Sequence, residues 1–169
     1  MAAPRHGRKS VIAWLSGALV AAFVLTGAVI SALPTGAATT EYVIVDRNSG
    51  LAIGGFDPVA YFTDRAPLLG RGEFEYRHAN VVWRFRNSGN RSAFVSHPDI
   101  YMPRFGGYDP VAISRKAAVP GDPRVWLIAG DRLFLFYSPE NKAAFAADVD
   151  QIIADAEREW PSVQLTLSP

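Results

Sequence analysis

Between Lys9 and Glu41 the chain carries no ionisable side chain, and from Val11 to Leu33 every residue is apolar or small. At 1.5 Å rise per residue this run makes a helix of about 34 Å, enough to cross a hydrocarbon core of about 30 Å. The run divides the chain into a basic cytoplasmic tail (1–10), a transmembrane anchor (11–33), a linker (34–41), a folded domain (42–161) and a short tail (162–169). Arg5, Arg8 and Lys9 all precede the run. The positive-inside tendency then puts the N-terminus in the cytoplasm and the domain outside, on a single-pass protein of the inner (cytoplasmic) membrane. The rival reading is a signal peptide cleaved near Thr35-Gly36-Ala37, which leaves the domain secreted or periplasmic.

The folded part is large enough for one ordinary domain with its own core. The chain has no cysteine, which removes disulfides, thiolate catalysis and thiolate metal clusters. Setting aside the three basic residues of the tail leaves 14 of the 17 Lys and Arg against 16 Asp and Glu. A nearly neutral domain lacks the basic excess that nucleic-acid binding needs.

Hydropathy predicts an α+β domain of short antiparallel hairpins, a few helices and a long C-terminal helix. Tyr42–Val45 and Leu51–Ile53 read as short strands around the Asn48-Ser49-Gly50 turn. Phe74 and Tyr76, the Ala79-Asn80 turn, then Val81, Trp83 and Phe85 make a half-buried hairpin. Ser88 caps a short helix that stops before Pro98, and Asp99–Tyr101 turn the chain. Val125–Ile128 and Leu133–Tyr137 pair across Gly130-Asp131. Ser138, Pro139 and Glu140 then open a helix with Phe145, Val149, Ile152, Ile153, Ala156 and Trp160 on one stripe, ended by Pro161.

Gly54-Gly55-Phe56-Asp57-Pro58-Val59-Ala60 returns 52 residues later as Gly106-Gly107-Tyr108-Asp109-Pro110-Val111-Ala112. Asp-Pro starts a type I turn well, so the simplest expectation is two similar turns feeding similar short elements.

The run Ile53 to Phe62, then Trp83-Arg84-Phe85, Asn90 to Phe94, His97 to Tyr101, Pro103 to Tyr108 and Trp160-Pro161 resembles the longer, exported version of the YHS-domain family. The resemblance spans about Leu51 to Pro161. It implies a small α+β domain of a family often suspected of binding metal through cysteines. This chain has Ala60, Asn90 and Asp109 where such relatives tend to carry cysteine. Thiolate binding therefore does not carry over, and what the remaining residue types offer is at most a site for a hard or borderline ion, with Asp57, His97 and Asp109 as the metal candidates.

No nucleophile elbow, phosphate loop or dinucleotide fingerprint is present, so no catalytic residue is named and the chain is read as no enzyme. The expectation is a membrane-tethered, non-enzymatic module that binds an unknown protein or small molecule and no nucleic acid. Its recognition surface is assigned to Asp57, Tyr61, Phe105, Tyr108 and Asp109, with no cofactor required. Metal handling by Asp57, His97 and Asp109 is the alternative.

Overall fold

The structure, a computed structural model, describes residues 43–167. The anchor or signal segment at 11–33 lies outside them, and among the described residues no helix is long and apolar enough to cross a membrane. The described part is α+β, with two antiparallel hairpins and six helices, the last of them long.

After a short N-terminal arm, the first half runs through α1 (Ala60–Thr63), β1 (Arg71–His78), β2 (Val81–Phe85), α2 (Ser88–Ser96) and α3 (Pro98–Tyr101). The second half repeats that order as α4 (Pro110–Ile113), β3 (Asp122–Ala129), β4 (Arg132–Phe136), α5 (Pro139–Ala147) and α6 (Val149–Leu165). The two similar turns expected from the sequence are thus the openings of one unit present twice.

The correspondence holds at the level of backbone geometry. Each unit opens on three consecutive left-handed residues: Ile53, Gly54 and Gly55 with φ of 42°, 65° and 76°, and Phe105, Gly106 and Gly107 with φ of 55°, 63° and 92°. Glycine adopts that conformation at little cost, which explains the Gly-Gly pair. The branched Ile53 is held there against its preference. Leu51 is bridged to Val82 of β2 and Ala52 to Val45 of the arm, so the expected strand survives as two residues and ends in this left-handed turn at Ile53.

Each hairpin turns through two left-handed residues, Ala79-Asn80 in one and Gly130-Asp131 in the other, the geometry that suits the right-handed twist of paired strands. Each has a register irregularity at the matching place, between Arg71 and Glu75 and between Asp122 and Trp126. The helix pairs break at His97 (φ −141°, ψ 62°) and at Asp148 (φ −150°, ψ 67°).

Four local expectations change. The cap of α2 is Asn87, whose side chain accepts the Asn90 N–H, and not Ser88. Asp99–Tyr101 belong to the short helix α3, which Pro98 opens. The long C-terminal helix is present as α6, but the stretch expected to lead into it unbroken from Ser138 is a separate helix, α5, because the chain breaks at Asp148, the counterpart of His97. Pro161 lies inside α6 and does not end it. A proline there forfeits one intrahelical bond. Trp160 and Val163 are buried on either side of it, and that apolar stripe carries the helix through to Leu165.

The units stack head to tail. The inner face of the first hairpin, Trp83 and Phe85, packs on Phe94 of α2. The same core takes in Leu133 and Leu135 from the outer face of β4, so the second hairpin backs onto the first unit. The inner face of the second hairpin, Phe134 and Phe136, packs on Phe145 of α5 and, with α6, closes the second core. At the open end the first hairpin has Val82 and Arg84 where the second has Leu133 and Leu135, and Arg84 pairs with Glu75 at 2.6 Å. A stack of repeats needs such a polar outer face at its end.

Candidate functional site

Asp57 and Asp109 are the two fully buried charged residues of the described structure. Asp57 Oδ1 accepts the N–H groups of Val59 and Ala60 at 2.8 and 3.4 Å, so it holds the turn that leads into α1. Its Oδ2 accepts Arg86 N–H at 2.8 Å and the Asn90 amide at 2.6 Å, which ties α1 to the end of β2 and the start of α2. Asp109 does the same one unit later. Oδ1 takes Val111 and Ala112 at 2.8 and 3.3 Å, and Oδ2 takes Tyr137 N–H at 2.8 Å and the Asn141 amide at 2.7 Å. Each carboxylate has four donors aimed at it and is closed off from solvent. These are internal staples that fix a turn, a strand end and a helix start to one another.

The other residues assigned to a recognition surface are wholly or partly buried. Tyr61 is fully buried, its hydroxyl donating to Pro123 C=O at 2.8 Å and its ring set edge-on to Trp126 at 5.2 Å. Phe105 is in the second core, and Tyr108 is half-buried against Trp160 at 5.8 Å. His97 is exposed at the break between α2 and α3. Asp57, His97 and Asp109 are not brought together, and among the described residues no three His, Asp or Glu side chains converge as an ion would need.

The sequence reading missed Asn90 and Asn141 as partners of the aspartates. Their signal is present: Asn90 and Phe94 recur as Asn141 and Phe145, and Trp83 and Phe85 recur as Phe134 and Phe136, all 51 residues on. The step from 52 to 51 falls in the loop after α1 and α4, and it hides the length of the repeat.

Burial pushes the Tyr61 phenol above its ordinary range, the nearby Asp122 carboxylate adding to the effect. A raised phenol favours the folded state while the phenol is protonated, and that contribution is lost as pH rises past the unfolded value of about 10. Tyr61→Phe is expected to cost about 1 kcal/mol at neutral pH, the worth of one hydrogen bond. It should also flatten the decline of stability above about pH 10, as read by urea titrations at several alkaline pH values.

An open concavity lies at the seam between the units. A cleft of about 300 Å³ is walled by Ile44 and Val45 of the N-terminal arm, Ile53 and Phe56 at the first left-handed turn, Pro120 of the loop into β3 and Pro123 at the start of β3. Its polar groups are Asp46 and Arg124. The Arg124 guanidinium stands 5.2 Å from the Phe56 ring centroid and makes a loose 3.7 Å pair with Asp122. Asp46 Oδ1 accepts the Ser49 N–H, the Ser49 hydroxyl and the Asn48 N–H at 2.8, 2.8 and 3.1 Å, and these bonds hold its carboxyl below the usual range.

The arm that forms one wall is fastened to the second unit. Ile44 N–H donates to Gly106 C=O at 2.8 Å, and the Ile44 side chain lies where a Cβ on Gly107 would come within 2.9 Å of it. The chemistry on offer is that of a binding pocket: apolar walls, one acid and one base.

Comparison with known proteins gives no match: no family model fits the chain, and no curated protein or solved structure is significantly similar to it.

Proposed function

We infer that this protein is a non-enzymatic binding module, tethered by its N-terminal apolar segment and facing the outside of the cytoplasmic membrane, and that it binds a small molecule in the cleft between its two units. The observation that carries the reading is the cleft. It has the volume of a small-molecule site, its walls come from the arm, the first left-handed turn and the second unit together, and a cation and an anion stand at it. The tether is supported by the 23 uncharged positions at 11–33 with basic residues only before them. The YHS-like motif order supports kinship with exported domains of that kind. The sequence puts recognition at the Asp-Pro turns; the present reading puts it at the edge of the first turn, beside Ile53 and Phe56.

Filling the cleft tests this. Val45 is 45% exposed at the rim, so Val45→Trp should fold normally, changing the midpoint of unfolding by less than about 0.5 kcal/mol as an ordinary surface substitution does. Compounds found to raise the melting temperature of the full-length wild-type protein should lose that effect in Val45→Trp. Compounds that stabilise both proteins equally bind elsewhere, and that result would remove the cleft from the account.

A further inference from the structure

The second hairpin has an open edge. β4 is buried from Leu133 to Phe136, while β3 is only half-buried from Val125 to Ala129 although both its faces are packed. Trp126 and Ile128 lie against the first core, and Val125, Leu127 and Ala129 against the second. The two-residue Gly130-Asp131 turn makes Ala129 and Arg132 a hydrogen-bonded pair. Leu127 then bonds Phe134, and the N–H and C=O groups of Trp126 and Ile128 point away from β4. Among the described residues no hydrogen bond reaches those groups.

A free strand edge is a template for another strand, and proteins commonly guard it with charge. β1 is guarded: Glu75 and Arg77, 51 residues before Trp126 and Ile128, stand at the same two edge positions. β3 carries no charge there, because those side chains back onto the core of the first unit. Pro123 and the register irregularity between Asp122 and Trp126 close the start of β3 to pairing. The uncharged stretch Val125–Ala129 is left open.

The charges at the ends of that stretch say what fits it. When two copies of β3 run antiparallel about Leu127, Trp126 of each exchanges hydrogen bonds with Ile128 of the other. Arg124 of each copy then comes opposite Gly130 and beside Asp131 of the other. Both Arg124 and Asp131 are exposed, and Arg124 is held by nothing firmer than its 3.7 Å pair with Asp122 and the Phe56 ring. Centring the pairing on Trp126 puts Arg124 opposite Ile128 instead, and centring it on Ile128 carries Arg124 past the turn. The register about Leu127 sets apolar against apolar along the strand and cation beside anion at both ends.

We propose that this protein forms a homodimer by antiparallel pairing of β3 with β3 of a second copy, centred on Leu127, so that the two hairpins join into one sheet. The pairing is independent of what the cleft binds. So short an interface makes a weak dimer that dilution dissociates.

The chain has no cysteine, so Leu127→Cys introduces a single thiol. Opposed residues of a non-hydrogen-bonded antiparallel pair have Cα atoms about 4.5 Å apart, within disulfide range. Oxidation of the full-length protein with diamide should join most Leu127→Cys chains into covalent dimers. It should leave Tyr76→Cys, the counterpart position on the guarded edge, unjoined. Equal joining of both, as association through the N-terminal apolar segment would give, or no joining of Leu127→Cys overturns the proposal. Hydrogen exchange of the wild-type protein gives a reading that no substitution can disturb. Between dilute and concentrated protein the Trp126 and Ile128 amides should gain about tenfold protection or more, and those of Glu75 and Arg77 none. Exchange at Trp126 and Ile128 that does not depend on concentration also overturns the dimer, and leaves that edge to an extended segment of another protein.

Discussion

Asp109→Ala should lower the melting temperature of the protein by roughly 10–20 °C, and Asp57→Ala should do nearly the same. Removing either carboxylate strands four donors, two of them buried and two partly buried. For Asp109 these are the N–H groups of Val111, Ala112 and Tyr137 and the Asn141 amide. An unsatisfied buried donor costs about 1–3 kcal/mol, and water entering the vacated space recovers part of the sum. A net loss of about 3–5 kcal/mol is therefore expected, as for other buried charged networks broken at one partner. At roughly 3–5 °C per kcal/mol for a domain of this size, that gives the stated range. Asn141→Ala and Asn90→Ala each remove one of the four bonds and should cost about 1 kcal/mol. Calorimetry of the six proteins, wild type and Asn141→Ala/Asp109→Ala double variant included, checks both sizes. If the aspartates were recognition residues poised for a ligand, their loss would leave the melting temperature within about 2 °C of wild type.

Gly121→Ala is the second large effect. Gly121 donates its N–H to Gly107 C=O at 3.0 Å and crosses β4 so closely that a Cβ would stand 2.7 Å from Leu135 Cβ and 2.8 Å from Gly107 O. Those neighbours are backbone atoms and the stem of a fully buried side chain, with no flexible end to swing away. The loop into β3 must move, and both the cleft wall at Pro120 and Pro123 and the hydrogen bond to Gly107 move with it. The expected cost is about 3 kcal/mol or more, the upper end for overpacking a core. Gly70 makes the same crossing in the first unit. Its N–H donates to Gly55 C=O at 2.9 Å, and its Cβ would stand 2.5 Å from the Arg84 carbonyl carbon. Gly70→Ala should destabilise comparably and, because Gly70 is bonded to Gly55 beside the cleft wall at Phe56, should also weaken cleft binding of the surviving folded fraction. Gly121→Ala should weaken that binding as well. Chemical denaturation gives the first comparison and ligand titration the second. Equal tolerance of both alanines would mean that these close crossings are not as drawn.

Much of the local structure was legible in the sequence, because hairpins and helix starts write themselves in neighbouring residues. Gly130-Asp131, the Ser138-Pro139-Glu140 opening and the Trp83–Phe85 face stand as expected. The helix break at Asp148 was not legible, since Val149, Ile152, Ile153 and Ala156 continue an apolar stripe across it. Only comparison with His97 one unit earlier shows why the chain turns there. Asp57 and Asp109 drew attention as turn residues, but a turn carboxylate looks the same in sequence whether its second oxygen meets water or Asn90. The cleft was invisible for a related reason. Ile44, Phe56 and Arg124 come from three segments that touch only because the second unit backs onto the first.

The central claim is that the seam between the two units is where this protein meets its ligand. The most direct measurement is a screen of chemically diverse fragments against the isotope-labelled full-length protein, read residue by residue in amide spectra. The account predicts that binders shift Ile44, Val45, Ile53, Gly54, Phe56 and Gly121, whatever their chemistry, and leave the β1 amides from Arg71 to His78 unmoved. Binders that gather on another surface, or a cleft that stays silent throughout the screen, would contradict it.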